Sequence, residues 1–110
     1  VYLDQSNYKN ASGCFDTAAL LGSRDIILYI ANGNLKYTKL NNKIGALKDF
    51  NIALTIDPLN IEALTNRGFY YFEIADYNAA LADFLAVKKI DPTNEKNIQY
   101  IEACKDKIKK

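Results

Sequence analysis

The sequence contains two Asp-Pro pairs, Asp57-Pro58 and Asp91-Pro92, whose positions differ by 34 residues. Aligning the chain on these pairs places residues 27–60 over residues 61–94 without a gap, and 11 of the 34 positions are then identical. An internal repeat constrains the fold strongly, because each copy is one supersecondary unit that buries its apolar face only against its neighbours.

Within each copy the apolar residues have the spacing of an amphipathic α-helix. In the second copy Ala80, Phe84, Val87 and Ile90 are separated by four, three and three residues, and the first copy repeats this pattern from residue 46 to residue 56. The small alanine lets the second helix approach its partner closely, and the phenylalanine fills the space beyond it. Each copy is therefore predicted to be two antiparallel helices joined by a short turn.

Polar residues mark the ends of the predicted helices. Asn42 and Asp76 precede the second helices, and Asn60 and Asn94 precede the helices that follow the Asp-Pro pairs. Each of these side chains can accept a hydrogen bond from a backbone N–H group at the start of a helix. The Asp-Pro pairs end the preceding helices, because proline disfavours the helical conformation in the residue before it.

The 34-residue period, the paired helices and the residues Gly68, Tyr71, Ala80, Phe84 and Pro92 resemble the tetratricopeptide repeat. The resemblance implies an all-α fold: an α-α superhelix, or solenoid, of antiparallel helix hairpins with about six helices and an N-terminal stub. It covers residues 1–110 as a single domain. We expect a partial repeat at 1–23, repeats at 27–60 and 61–94, and a C-terminal capping helix at 95–110.

Three positions depart from the resemblance or from the gapless alignment. Leu64 stands where the family often has tryptophan, and Arg67 stands at a position that is usually apolar. The glycine of the first copy is Gly33, one residue before the position aligned with Gly68. The segment before Ile27 fits the same pattern only with one extra residue in the link, so a slip in register is expected there.

The resemblance implies that the first helix of each repeat lines a concave surface, where side chains that do not pack against the second helix meet a partner. We therefore expect a scaffold or adaptor that binds a peptide or a partner helix of another protein in this groove. The predicted groove residues are Asn32, Leu35, Lys39, Asn66, Phe69, Phe72, Glu73, Lys96 and Tyr100.

Asn32 and Asn66 are identical at aligned positions that need not pack in the core. In the family an asparagine at this position often hydrogen-bonds the backbone of a bound peptide, since an amide both donates and accepts. Phe69, Phe72 and Tyr100 would supply aromatic anchors for the partner. The alternative, that some of these rings pack between the repeats, is left open by the sequence.

Two other modes of association are alternatives to peptide binding in an apolar groove. A carboxylate clamp, which in the family grips the acidic C-terminal tails of chaperones, is disfavoured because Tyr100 stands where the resemblance implies arginine. Ala31 and Leu35 likewise replace the lysine and asparagine of the clamp. Self-association as a homodimer through the N-terminal end would cover the apolar side of the incomplete first repeat.

The composition argues against other classes of function. Histidine is absent and the 13 carboxylates have no catalytic or metal-ligand spacing, so we expect no enzyme activity, no metal and no cofactor. A net charge of +1 provides no field to attract nucleic acid, and the apolar runs are too short for membrane insertion. A cytoplasmic location is slightly favoured, although a chain that begins with Val1 leaves a removed signal peptide open.

Overall fold

The computed structural model describes residues 12–14, 16–17, 22 and 25–109. Residues 12–14 and 16–17 are helical, and none of the described residues forms a strand. The complete helices that follow are α1 (Ile26–Thr38), α2 (Lys43–Ile56), α3 (Ile61–Glu73), α4 (Tyr77–Ile90) and α5 (Glu95–Lys109). The predicted all-α fold of helix hairpins is confirmed, whereas most of the predicted partial repeat at 1–23 lies outside the described residues.

The chain forms two compact units, Val1–Pro58 and Leu59–Lys110. In the first unit α1 packs against α2. In the second unit α4 packs against both α3 and α5. The candidate binding residues lie on α1 and directly after it in the first unit, and on α3 and α5 in the second.

Each helix begins at a polar residue whose side chain accepts a hydrogen bond from the first turn. Backbone N–H groups at the start of α2, α3, α4 and α5 donate to the side chains of Asn42, Asn60, Asp76 and Asn94. All four predicted caps are confirmed. Asp25 caps α1 in the same way, because its carboxylate accepts from the N–H of Ile27 at 3.1 Å.

A glycine and a phenylalanine set the close approach of the two helices in each hairpin. Phe50 and Phe84 are each 1% exposed, and Gly33 and Gly68 lie against their rings. A Cβ atom added to Gly33 would lie 2.6 Å from the Phe50 ring, and one added to Gly68 would lie 2.7 Å from the Phe84 ring. Both distances are too short for any side chain, so only glycine permits this packing.

The contacts of these glycines show that the gapless alignment of the two copies is wrong in the first helix. Gly33 and Gly68 are 35 residues apart, while Phe50 and Phe84 are 34 residues apart. The first helices also begin 35 residues apart, at Ile26 and at residue 61. The structural equivalence is therefore set by the glycines rather than by the identical residues that flank them.

The extra residue lies in the turn between the helices of the first hairpin. Residues 39–42 separate α1 from α2, whereas residues 74–76 separate α3 from α4, so the first turn is longer by one residue. The extra residue expected in the link before Ile27 concerns residues that lie mostly outside the described ranges, so that expectation stays a prediction. Each turn places one residue in the left-handed conformation, Asn41 with φ 50° and Ala75 with φ 64°.

Gly68→Ala and Gly33→Ala should each lower the free energy of unfolding by about 1–3 kcal/mol, because the added methyl group collides with a buried ring. Asn34→Ala is the matched control, since the gapless alignment equates Asn34 with Gly68. It should change the free energy of unfolding by less than about 1 kcal/mol. Urea unfolding followed by circular dichroism measures all three, and an equal loss from Asn34→Ala would contradict the 35-residue register.

Ala75→Gly should stabilise the protein by about 1 kcal/mol, because a Cβ atom is strained in the left-handed conformation. Asn41→Gly should produce a smaller gain, since asparagine tolerates this conformation better than alanine does. Thermal unfolding of both variants gives the comparison. A loss of stability on Ala75→Gly would mean that the turn is not left-handed at this residue.

Candidate functional site

The nine predicted groove residues are divided between the two units. Asn32 and Leu35 lie on α1, and Lys39 follows its last turn. The remaining six belong to α3 and α5 of the second unit: Asn66, Phe69, Phe72, Glu73, Lys96 and Tyr100. In the first unit Leu35 is half-buried and Lys39 is exposed.

Asn32 is buried, which corrects the prediction that this position need not pack. Asn32 is 1% exposed. Its Oδ1 accepts a hydrogen bond from the Ser12 hydroxyl at 2.8 Å, and its Nδ2 donates one to the Asp16 carboxylate at 2.8 Å. The physical reason is the register of α1, because turning Gly33 towards Phe50 turns the preceding residue into the unit. Both functions of the amide are used inside the protein.

Asn32 and Asn66 are consequently not equivalent, although they are identical in the gapless alignment. In the 35-residue register Asn32 corresponds to Arg67 and Asn66 corresponds to Ala31. Asn66 is half-buried, whereas Ala31 is exposed. The match between the two asparagines is therefore a coincidence of composition and no longer supports a shared peptide-binding role.

Two carboxylates in the first unit converge on Lys36. Its Nζ lies 3.0 Å from Asp16 and 3.0 Å from Asp49, and its side chain is 12% exposed. Burial lowers the pKa of Lys36, but hydrogen bonds and charge attraction from Asp16 and Asp49 outweigh it, so the pKa is raised above its ordinary value. Burial also raises the pKa of the Asp49 carboxyl, which Lys36 only partly offsets. This network ties Asp16 to the hairpin.

The second unit has a different ion pair at the matching aspartate. Arg67 donates from Nε to Asp83 at 2.9 Å and from Nη2 at 2.7 Å, and its guanidinium lies 5.9 Å from the centre of the Tyr71 ring. A bidentate pair of this kind fixes geometry as well as charge. Sequence reasoning missed this pairing, although an arginine on a usually apolar face and an aspartate identical in both copies were its visible signals.

The rings of Phe69 and Tyr100 pack together across α3 and α5. Their centroids are 4.8 Å apart at 83°, and both rings also contact Phe84, at 5.8 Å and 5.3 Å. Phe72 instead meets Tyr77 of α4 at 5.1 Å. The sequence left open whether these rings bind a partner or pack inside the protein. They do pack between helices, but Phe69, Phe72 and Tyr100 are each only half-buried.

Charged residues accompany these rings. Glu73 at the end of α3 and Lys96 in the first turn of α5 are both exposed. We define the α3–α5 surface as the six predicted residues of the second unit: Asn66, Phe69, Phe72, Glu73, Lys96 and Tyr100. It combines half-buried aromatic rings with one exposed acid and one exposed base.

Two free cysteines lie among the described residues. Cys14 is exposed, whereas Cys104 is buried and burial raises the pKa of its thiol. Within residues 12–14, 16–17, 22 and 25–109, no three His, Cys, Asp or Glu side chains gather to hold a metal ion. None of the described helices combines the length and apolar character that crossing a membrane requires.

Sequence comparison finds no family model that matches the chain, but it finds similar proteins. The chain is 28% identical to the Hsp70-Hsp90 organizing protein of Triticum aestivum over 106 residues, which are 96% of this chain and 18% of that protein. It is 32% identical to FK506-binding protein 59 of Drosophila melanogaster over 79 residues, 72% of this chain and 18% of that protein. It thus spans less than a fifth of the length of either relative.

A third relative and a solved structure connect these similarities to the repeat. Tetratricopeptide repeat protein 14 of Mus musculus is 34% identical over 65 residues, 59% of this chain and 8% of that protein. The first TPR domain of the human RPAP3 protein, an NMR structure, has a TM-score of 0.79 and 18% identity, covering 94% of this chain and 81% of that one. Together with the hairpins and their glycine–phenylalanine contacts, these likenesses place the chain in the tetratricopeptide repeat family.

Proposed function

We propose that the chain is a protein–protein interaction module that binds a peptide or a partner helix on the α3–α5 surface of its second unit. The observation that carries the proposal is the edge-to-face pair of Phe69 and Tyr100, 4.8 Å apart and only half-buried. Tyrosine and phenylalanine are both enriched in protein interfaces, and tyrosine is enriched among the residues that contribute most to binding.

The rings are held in place before a partner arrives. The buried ring of Phe84, which is 1% exposed, contacts the rings of both Phe69 and Tyr100. Binding to side chains that are already ordered costs less conformational entropy than binding to mobile ones. The packing that competed with the binding interpretation at the sequence level therefore supports it, because the same rings have one packed side and one accessible side.

The charges at the surface define the class of partner. Glu73 and Lys96 are exposed and of opposite sign, and Lys96 makes no ion pair with another described residue. A partner with an apolar centre and charges of both signs at its edges complements such a rim. A strongly acidic tail is a poorer match, since Lys96 is the one cation among the six residues of the surface.

The names of the relatives support a role in binding proteins. The wheat relative is named for organising Hsp70 and Hsp90, which are themselves proteins. Recognition of a chaperone tail by a carboxylate clamp is the competing function, and it would depend on the terminal carboxylate of the ligand rather than on apolar anchors.

In the first unit, two of the three predicted binding residues stay predictions. Leu35 and Lys39 remain reachable on α1 and stay predicted binding residues of that unit, whereas Asn32 is withdrawn because both of its polar groups are bonded internally. Self-association through the N-terminal end also stays a prediction, since it concerns residues that lie mostly outside the described ranges.

Phe72→Ala combined with Lys96→Glu should weaken binding of a partner at least about tenfold, because it removes an aromatic anchor and reverses a rim charge. The partner is first captured with the intact chain as bait, identified by mass spectrometry, purified and titrated by calorimetry. Lys105→Glu is the matched control, since Lys105 is an exposed lysine on the opposite side of the same helix from Lys96. Equal affinity of the double variant and the wild-type chain would contradict the assignment.

Synthetic C-terminal peptides of Hsp70 and Hsp90, each made with a free and with an amidated terminus, separate the two functions. If the α3–α5 surface binds through apolar anchors, amidation should change the dissociation constant less than about threefold, because no cluster of cations holds the terminus. A loss of more than about tenfold on amidation would instead establish a carboxylate clamp.

A further inference from the structure

A second surface lies on α4, on residues that the α3–α5 surface does not use. An open depression of about 620 Å³ is lined by Ala82, Leu85, Ala86, Lys88, Lys89 and Pro92. Leu85 is 41% exposed and Ala82 is exposed as well. The two alanines leave room beside the leucine, so the floor of the depression is apolar.

The packing of the second unit does not require this apolar face. The residues of α4 that pack are Ala80, Phe84 and Val87, each at most 1% exposed. Leu85 and Ala82 belong to another side of the helix, where polar residues are normal in an amphipathic helix. An exposed leucine between alanines therefore has no role in holding α4 against α3 or α5.

The equivalent helix of the first unit carries polar residues at three of the positions that line the depression. α2 and α4 share the 34-residue register, as Phe50 and Phe84 establish. The residues of α2 that correspond to Ala82, Leu85 and Lys89 are Lys48, Asn51 and Thr55, and all three are exposed. The counterparts of Ala86 and Lys88, Ile52 and Leu54, are apolar and at least half-buried. The same fold thus accommodates polar residues at the three exposed positions, and the exposed leucine is particular to α4.

Two lysines stand beside the depression. Lys88 and Lys89 are exposed in the last turn of α4 and make no ion pair with another described residue. The dipole of the helix favours cations at its C-terminus, which accounts for the charge of these residues. It does not account for the apolar depression that lies next to them.

We propose that this α4 surface, formed by the six residues that line the depression, binds an acidic amphipathic helix from another protein. One apolar side chain of that helix would occupy the space beside Leu85, and carboxylates on the same face would pair with Lys88 and Lys89. An acidic partner is favoured because the surface offers two cations and no anion. The α4 surface and the α3–α5 surface share no residue, so the chain can hold two different segments.

A designed peptide tests this surface directly. The probe is an N-acetylated helical peptide of about 15 residues with leucines four residues apart and glutamates beside them. It is titrated into the ¹⁵N-labelled full chain and followed by NMR. The amide signals of Leu85, Lys88 and Lys89 should shift with one dissociation constant, and the affinity should fall as the salt concentration rises.

Two variants of the chain separate the apolar and the charged contributions. Ala82→Lys with Leu85→Asn and Lys89→Thr replaces the face with the residues that α2 already carries, so the fold should be kept while the peptide binds at least about tenfold more weakly. Lys88→Glu with Lys89→Glu should weaken it by about tenfold through charge reversal. Phe72→Ala with Lys96→Glu, which alters the other surface, should leave the affinity for this peptide unchanged.

Several results would overturn the proposal. A version of the peptide with lysine in place of glutamate should not bind, so equal binding of the two versions would show that charge is not recognised. Undiminished binding to the Ala82→Lys, Leu85→Asn, Lys89→Thr variant would place the contact elsewhere. A rise in molecular mass of the wild-type chain in sedimentation that this same variant abolishes would show that a second copy of the chain, rather than an acidic helix, covers the surface.

Discussion

The contact between a backbone and an aromatic ring organises each hairpin of this protein. Gly33 lies against Phe50 and Gly68 against Phe84, at distances that leave no space for a Cβ atom. Because the contact fixes both the separation and the rotation of the first helix relative to the second, it decides which residues of the first helix face inwards. The burial of Asn32 follows from this rotation.

The sequence predicts the helices, their caps and the buried phenylalanines, because each depends on local spacing or on a residue type with one clear physical role. It does not predict the register of α1 when identical residues are simply counted. Such a count treats the match of Asn32 with Asn66 as equal in value to a matched glycine. The glycine is more informative, because its contact with a phenylalanine ring requires the absence of a side chain. The displaced position of Gly33 was the sign of the correct register, and the four-residue turn 39–42 compensates for it.

The buried aspartates show a second limit of sequence reasoning. Asp49 and Asp83 occupy the same position of the repeat, yet Lys36 pairs with one and Arg67 with the other, from different positions of the first helix. A buried carboxylate needs a partner, but side chains as long as lysine and arginine reach it from more than one turn. In the first unit the lysine is shared with Asp16, so the same charge that satisfies Asp49 also ties the preceding helical residues to the hairpin.

Differences between the two hairpins are more informative about binding than their identities. In the corrected register Phe69 corresponds to Asn34, and on the second helices Leu85 corresponds to Asn51. The residues that both hairpins need for packing are the same in each. The half-buried ring of Phe69 and the exposed Leu85 stand where the first hairpin has asparagine, so the shared fold does not require them. Both changes place apolar surface on the second unit, and this supports assigning partner recognition to that unit, with the first hairpin as the version of the same fold in which these positions are polar.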